Sequence, residues 1–172
     1  MIDPRNEVLE QLIRDEWPKL RRFFRSKVPL SDVVDLVQST MLGFVEGRAR
    51  ITGADRAYLW GIARNQVLKY YGKHRPTAEF NSEVHTALDL GPTISSRLDR
   101  RTRVLAALHE LPVDHQIVFE LRHGEGLSLE EVAAAFGKSL ATVKRHLALA
   151  EDKLRASLGD QANTVADEYT RT

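Results

Sequence analysis

The first half of the chain repeats apolar residues at the spacing of α-helices. One stripe lies within residues 32–47 and a second within residues 56–75. Residues three or four positions apart share one side of a helix, so both stripes predict buried helix faces. They consist of Val33, Leu36, Val37, Thr40, Met41 and Phe44, and of Leu59, Ile62, Ala63, Val67 and Tyr70. We expect an earlier helix that Pro18 breaks or restarts, and we expect Ser31 to cap the second helix.

The second half contains two short helical patterns joined at a glycine, within residues 127–147. Ser128 with Glu131 three positions later forms a capping box, in which each side chain satisfies a backbone N–H of the first turn. Gly137 readily takes the left-handed conformation that ends a helix. Ser139 can then cap the next helix at once. The sequence therefore predicts a helix-turn-helix.

The second helix of this motif has two different faces. The inner face is apolar, whereas the outer face combines small residues with charged ones. Small residues beside Lys and Arg near a helix N-terminus suit close approach to a DNA major groove. The inner face is Val143, Leu147, Ala150 and Leu154, and the outer face is Ala141, Arg145, Ala148 and Asp152. The motif alone also fits an ordinary helical hairpin with a solvated face.

Turn-forming residues divide the chain into segments. Residues 76–96 combine prolines, glycine and serines with weak periodicity, which is typical of a linker. We predict an all-α protein of two small helical domains joined by a flexible linker, the second a four-helix domain that contains the helix-turn-helix. The predicted boundaries are 1–76 for the first domain, 77–97 for the linker, 98–158 for the second domain and 159–172 for the tail.

Charge is distributed unevenly along the chain. The net charge of all 172 residues is only +1. Residues 1–76, however, hold 14 Lys and Arg against 9 Asp and Glu, whereas residues 98–158 hold 9 of each. A basic first half favours contact with phosphates or with an acidic protein surface, although a solvated basic face would look the same. The neutral second half predicts weak DNA binding on its own.

Composition excludes several classes of function. The chain has no cysteine, so disulfides, thiolate metal sites and cysteine nucleophiles are ruled out together. The 6 histidines form neither a His-x-x-x-His pair nor a HExxH arrangement. The N-terminus lacks a signal peptide, and no apolar run is long enough to span a bilayer. We therefore expect a cytoplasmic protein that is not an enzyme, needs no cofactor or metal, and does not insert into membranes.

Three separated motifs together resemble those of extracytoplasmic-function sigma factors, the smallest members of the bacterial sigma family. The motifs are "DVVDLVQSTMLGF", "AYLWGIARNQVLKYYGKHR" and "LPVDHQIVFELRHGEGLSLEEVAAAFGKSLATVKRHLALAEDKLR", in that order. The resemblance implies a two-domain initiation factor. Its first domain would grip the clamp helices of the polymerase β′ subunit and melt the minus-10 element. Its second domain would dock on the β flap and read the minus-35 element.

The resemblance assigns polymerase binding to the helix that contains "DLVQ". The implied residues are Asp32, Asp35, Leu36 and Gln38. This chain departs from the family pattern just afterwards, where Ser39 replaces the usual Glu and Met41 replaces the usual Phe. One acidic contact with the polymerase is therefore expected to be missing.

The resemblance assigns minus-10 recognition to the third helix and the loop before it. Asn65, within "IARN", matches a position that helps to hold a flipped base, and aromatic side chains nearby can stack on bases. Basic side chains can hold the phosphates of the separated strand. The implied residues are Arg48, Arg50, Arg56, Tyr58, Trp60, Arg64, Asn65 and Lys69. For Trp60, core packing is an equally good interpretation.

The resemblance assigns minus-35 recognition to the second helix of the helix-turn-helix. Arg145 is the best candidate for a bidentate contact with guanine, and Lys144 and Ser139 suit phosphates. The implied residues are Ser139, Ala141, Thr142, Lys144, Arg145 and Ala148. Many relatives carry arginines where this chain has His146, Leu149 and Glu151, so phosphate contacts late in this helix are not expected.

The partners implied are core RNA polymerase, promoter DNA and an anti-sigma factor that holds the chain inactive, in some cases near the membrane. Two other interpretations stay open. One is a sigma mimic that titrates an anti-sigma factor without supporting transcription. The other is a stand-alone helix-turn-helix regulator.

Overall fold

The computed structural model describes residues 4–50, 53–74 and 106–158. The chain forms two compact units, Met1–Val84 and His85–Thr172. Every regular element of the described residues is helical, which confirms the all-α prediction. The predicted linker (77–97) and tail (159–172) lie outside these residues, as do residues 98–105 of the predicted second domain. The domain boundaries therefore stay predictions.

The first unit contains three α-helices, α1 (Pro4–Arg25), α2 (Leu30–Gly47) and α3 (Asp55–Lys73). A 3₁₀ turn, Arg48–Arg50, follows α2 directly. The apolar stripes of the three helices are buried against one another, and fully burying one such side chain stabilises the fold by about 1.5–3 kcal/mol. The fully buried side chains include Leu20, Phe24, Val37, Phe44, Leu59, Trp60 and Val67.

The first helix continues through Pro18, so the predicted break at this residue is wrong. Proline lacks a backbone N–H and crowds the carbonyl one turn earlier, at a cost of about 3 kcal/mol in a helix interior. Packing on both sides of Pro18 offsets this cost, because Glu16 before it and Leu20 and Phe24 after it are all buried. Tertiary contacts therefore outweigh the local preference.

The second helix begins two residues earlier than predicted, at Leu30. Pro29 occupies the N-cap position with an extended backbone (φ −55°, ψ 148°), and its carbonyl accepts a hydrogen bond from the Asp32 N–H at 3.0 Å. No side chain caps the helix, and the Ser31 hydroxyl donates to Asp32 Oδ1 at 3.1 Å instead. Ser31 lies inside the first turn and is not the N-cap.

The second unit contains α4 (Val113–Phe119), α5 (Leu129–Phe136) and α6 (Leu140–Leu158), and residues 106–109 are helical as well. Within residues 106–158, these four helical segments match the number predicted for the second domain. Their shared core consists of Ala107, Leu108, Leu111, Phe119, Ala150 and Leu154, with Leu147 packed against it. The predicted inner face of α6 therefore faces this core, and Val143 of the same face is buried as well.

The helix-turn-helix has the predicted local geometry. Glu131 N–H donates to Ser128 Oγ at 3.1 Å, and Ser128 N–H donates to Glu131 Oε2 at 2.7 Å, which completes the capping box. Gly137 has φ 58°, the left-handed conformation that a side chain would strain. The Ser139 hydroxyl accepts from the Thr142 N–H at 3.2 Å and so caps α6.

A π-helical segment, Glu120–Gly124, extends α4 and was not predicted. Its wider turn is visible in the hydrogen bond from the Glu125 N–H to the Glu120 carbonyl at 3.0 Å, which joins residues five positions apart. The Glu120 side chain is buried and accepts from Gln116 Nε2 at 3.0 Å. The segment places His123 near α6, where it contacts Glu151.

Candidate functional site

The outer surface of α2 carries an exposed apolar stripe. Val34 and Leu42 lie four residues before and after Gln38, with Leu30 and Val45 beyond them, so all five residues follow one side of the helix. We call these five residues the α2 stripe. The exposed fractions are 56% for Leu30, 46% for Val34, 59% for Leu42 and 47% for Val45. A continuous row of exposed large apolar side chains is typical of a protein–protein contact surface.

Gln38 is the one residue of the α2 stripe that was predicted from the sequence as a contact, and the apolar residues around it were not predicted. The signal was present, because apolar residues occur on α2 as neighbouring pairs such as Val33 with Val34 and Phe44 with Val45. One member of each pair is buried and the other is exposed. A helix with one buried face needs only the first member. The second member was therefore an unused indication of a partner.

The four residues predicted to bind polymerase separate into two pairs. Gln38 and Asp35 are exposed, Gln38 within the α2 stripe and Asp35 next to Val34. Asp32 and Leu36 are only half-exposed, and Asp32 Oδ2 accepts a hydrogen bond from Tyr70 Oη at 2.8 Å. Burial, together with this bond to Asp32, raises the pKa of Tyr70 to about 12. Asp32 therefore joins α2 to α3, and of the four only Gln38 and Asp35 are fully presented to solvent.

Trp60 belongs to the core of the first unit. Its side chain is fully buried, and its ring packs edge-on against Phe23 with centroids 5.3 Å apart. The indole Nε1 donates to Glu16 Oε2 at 2.9 Å. A base cannot stack on a fully buried indole, so Trp60 packs in the core and is not available as a minus-10 contact.

Glu16 is the centre of a polar network that joins α1 to α3. This carboxylate is buried and accepts from Trp60, from Arg56 Nε at 3.1 Å and from Lys19 Nζ at 2.7 Å. Buried charge is tolerated only when it is paired and hydrogen-bonded, and these three donors meet that need. Arg56, predicted to hold a phosphate, is therefore engaged within the protein.

An ion pair joins the two ends of the segment between α2 and α3. Arg48 Nε donates to Asp55 Oδ2 at 3.0 Å, so Arg48 is also paired internally. The Tyr58 ring is half-buried and lies 6.1 Å from the Phe44 ring. Arg50, in contrast, is exposed.

The middle of α3 presents a polar face. Asn65 and Lys69 are exposed one turn apart, and Arg64 is half-exposed with Nη1 3.5 Å from Asn65 Oδ1. An exposed amide flanked by cations can bond a base edge while the cations neutralise phosphates. The structure thus brings together Arg64, Asn65 and Lys69, whereas Arg48, Arg56 and Trp60 serve internal contacts.

The outer face of α6 is open along its first two turns. Ala141, Lys144, Arg145 and Ala148 are all exposed. Thr142 is half-exposed, and its hydroxyl lies 2.9 Å from that of Ser139. This row combines small side chains with one central guanidinium, which is the arrangement that major-groove readers use.

Of the three residues late in α6 that depart from the family pattern, His146 and Glu151 contact other residues of the second unit. The rings of His146 and His115 lie 4.6 Å apart, and Glu151 Oε1 lies 2.9 Å from His123 Nε2. Burial is the main cause that lowers the pKa of His115, and His146 adds to it. His146 therefore contacts α4, and Glu151 contacts the π-helical segment. Leu149 is exposed.

Two family models match the chain one after the other. Sigma-70 region 2 matches residues 12–77, and Sigma-70, region 4 matches residues 101–154. RNA polymerase sigma factor HrpL of Pseudomonas syringae pv. syringae is 27% identical over 159 residues, which cover 87% of this chain and 86% of HrpL. The chain is an extracytoplasmic-function sigma factor of the sigma-70 family.

Solved structures share the fold of this sigma factor. CnrH, in complex with the cytosolic domain of CnrY, has a TM-score of 0.66 at 24% identity, over 89% of this chain and 88% of CnrH. The sigma factor RpoE in complex with the anti-sigma factor NepR from Bartonella quintana has a TM-score of 0.63 at 24% identity, over 90% of this chain and 98% of the matched chain.

The family gives this sigma factor its function. It binds core RNA polymerase and promoter DNA, and it directs promoter-specific transcription initiation. Both family models fall on the units that carry the surfaces described above. Within the described residues, none of the helices combines the length and the apolar character that crossing a membrane requires.

Proposed function

We propose that this sigma factor binds core polymerase through the α2 stripe, with Asp35 beside it. The observation that supports this most directly is the exposure of Val34, Leu42 and Val45 around the predicted contact Gln38. The apolar side chains offer area that a helical partner can bury. The Gln38 amide and the Asp35 carboxylate can form hydrogen bonds and ion pairs that fix how the partner is aligned. The β′ clamp helices are the partner that the sigma-70 resemblance implies.

We propose that the middle of α3 contacts the minus-10 element. Asn65 would bond an extruded base, and Arg64, Lys69 and Arg50 would hold the strand that carries it. The exposure of these side chains supports the assignment. Tyr58 stays a candidate for stacking only through the part of its ring that is exposed.

We propose that α6 reads the minus-35 element. Arg145 would contact guanine, Ala141 and Ala148 would allow the helix to approach the bases, and Lys144 would hold a phosphate. The second unit has no excess of positive charge, so its own affinity for DNA would be low. Docking on the β flap would supply the effective concentration that joins the two contacts.

Polymerase binding tests the proposal first, because it needs no knowledge of the promoter. The purified sigma factor should form a stoichiometric complex with bacterial core polymerase on size-exclusion chromatography. Asp35→Arg and Leu42→Asp should abolish the complex. The first reverses the charge beside the α2 stripe, and the second places a charge within it.

Asp15→Arg is the matched control. Asp15 is exposed on α1 and lies outside the α2 stripe, where the same change of charge should leave the complex intact. Circular dichroism should show equal helix content for all variants. If the wild type binds and both Asp35→Arg and Leu42→Asp bind equally well, the polymerase contact lies elsewhere on the chain. If a well-folded wild type does not bind, the sigma-mimic interpretation replaces the proposal.

We further propose that an anti-sigma factor controls this chain. RpoE from Bartonella quintana and CnrH, which share its fold, were each solved with another protein bound. An apolar row exposed on α2 would serve such a partner as well as it serves polymerase, so the two would compete. In this role the chain is a specificity subunit and not a catalyst, and it works in the cytoplasm with polymerase and promoter.

A further inference from the structure

The two ends of the segment that joins α2 to α3 are held together by one ion pair. Arg48 immediately follows α2, and Asp55 is the first residue of α3. Arg48 Nε lies 3.0 Å from Asp55 Oδ2, and the two side chains are 24% and 32% exposed. Both groups are therefore partly shielded from water, which makes the pair stronger than one on an open surface.

A second contact holds the same two helix ends together. A Cβ atom built on Gly47 would overlap the Tyr58 phenol oxygen, so glycine at the end of α2 leaves the space that this phenol occupies. The Tyr58 ring also packs near Phe44 of α2. Two independent contacts, Arg48 with Asp55 and Gly47 with Tyr58, thus bring the end of α2 to the first turn of α3.

The chemistry of the pair argues against a phosphate contact at Arg48. Its guanidinium already donates through Nε to a carboxylate inside the protein. This ion pair partly neutralises the charge of Arg48 and fixes the direction of its side chain, which weakens its attraction for a phosphate. Asp55 has a reason of its own to stay in place, because a carboxylate in the first turn of a helix is stabilised by the helix dipole. Losing the pair would leave Arg48, on the three-residue 3₁₀ turn, without the carboxylate that holds it.

We propose that Arg48 and Asp55 are a positioning pair for minus-10 discrimination. The pair sets the separation and direction of the ends of the segment between α2 and α3, and Arg48 does not itself hold a phosphate. Discrimination among minus-10 sequences then depends on Asp55 as much as on Arg48. This inference rests on the proposed minus-10 role of the first unit.

A double-mutant cycle tests the pair. The promoter is first selected from random DNA by the wild-type holoenzyme, and templates are made that differ only in the minus-10 element. Arg48→Ala and Asp55→Ala should each lower the ratio of transcription between the best and an altered template by about two- to five-fold, the range for a partly exposed ion pair. The double variant should lose no more than either single variant.

Salt dependence separates positioning from phosphate binding. A phosphate contact contributes about 1 to the slope of log affinity against log salt, and its removal reduces that slope. The positioning pair predicts an unchanged slope for Arg48→Ala holoenzyme. A reduced slope, together with an Asp55→Ala variant that discriminates as well as the wild type, would make Arg48 a phosphate contact and overturn the proposal. Lys69→Ala serves as the reference for a variant that reduces the slope.

Two further measurements keep the outcomes distinct. Core-polymerase binding of each variant should match the wild type, because the pair lies outside the α2 stripe. The thermal midpoints of the two single variants should fall equally, by no more than the few degrees that a partly exposed ion pair contributes. A loss of folding in one single variant alone would contradict a shared pair. If the wild type itself shows no preference among minus-10 templates, the proposed minus-10 role fails, and the positioning role fails with it.

Discussion

The hydrogen bonds that shape the helix-turn-helix of the second unit span fewer positions along the chain than those that join the helices of the first unit. In the second unit, the bonds that shape the helix-turn-helix join residues three positions apart, such as Ser128 with Glu131. In the first unit, the bonds that join its helices span about forty positions: 44 from Glu16 to Trp60 and 38 from Asp32 to Tyr70. Local bonds leave the outer face of α6 free, whereas long-range bonds occupy residues that the motifs assign to partners.

The contrast between the units changes how motif residues are interpreted. Arg56 and Trp60 lie within a stretch that resembles a DNA-melting helix, yet both bond the buried carboxylate of Glu16. On α6, Lys144 and Arg145 have no such competing role among the contacts that the structure shows. Arg56 and Trp60 are therefore engaged in the fold, whereas Lys144 and Arg145 of α6 are exposed.

Loss of the Glu16 network should have the strongest consequence for stability. Glu16→Ala leaves the Trp60 indole and the Arg56 guanidinium without their acceptor, and we expect a loss of about 3 kcal/mol in the free energy of unfolding of the first unit. Both tryptophans, Trp17 and Trp60, lie in this unit, so tryptophan fluorescence during urea unfolding follows it alone. Circular dichroism follows both units.

Glu10→Ala is the control for the Glu16 substitution. Glu10 is an exposed glutamate on the same helix, and its removal should change stability by less than about 0.5 kcal/mol. Trp60→Phe removes the indole donor, and in a double-mutant cycle it should couple to Glu16→Ala. Independent, additive losses would show that the hydrogen bond between them does not join α1 to α3.

In the second unit, the main functional effect is expected at Arg145. Arg145→Ala removes the proposed base contact. It should therefore reduce, by about 1–3 kcal/mol, the discrimination between the selected minus-35 element and one in which the guanine has been changed. Lys144→Ala should instead weaken binding equally for all sequences and lower the salt slope by about 1. Quantitative footprinting of holoenzyme at several salt concentrations measures both. Unchanged discrimination in Arg145→Ala would move base recognition to another residue.

The sequence was sufficient for features whose causes are local. The capping box at Ser128, the left-handed Gly137 and the cap at Ser139 each follow from neighbouring residues, and all three were predicted. The break at Pro18 and the cap at Ser31 were wrong because tertiary packing and the preceding Pro29 decided those positions. The exposure of Val34, Leu42 and Val45 was not predicted, because the number of apolar residues that α2 can bury depends on how the three helices pack.

A more modest effect should separate the two serines predicted as caps. Ser128→Ala removes the acceptor of the Glu131 N–H, and we expect a loss of about 1 kcal/mol in the stability of the second unit. Ser31→Ala removes only an exposed bond to Asp32, and the loss in the first unit should be less than about 0.5 kcal/mol. Urea unfolding followed by circular dichroism and fluorescence compares the two. Equal losses would mean that Ser31 caps α2 in solution.

The weakest of these effects is a pH dependence confined to the second unit, and its origin is His115. Burial and the neighbouring His146 lower the pKa of His115; Asp114 opposes this shift, and Lys153 adds to it. The unfolded chain therefore takes up this proton at a higher pH than the folded unit does. The stability that neutral His115 contributes is present above the ordinary histidine pKa of about 6.5 and is lost as the pH falls below it.

The urea midpoint of the second unit should accordingly drop between about pH 7.5 and about pH 5.5, and the drop should be smaller in His115→Gln. His146→Gln should lessen it in part, because it removes one of the two cations that disfavour protonation of His115. A drop of equal size in His115→Gln would assign the acid sensitivity to another group.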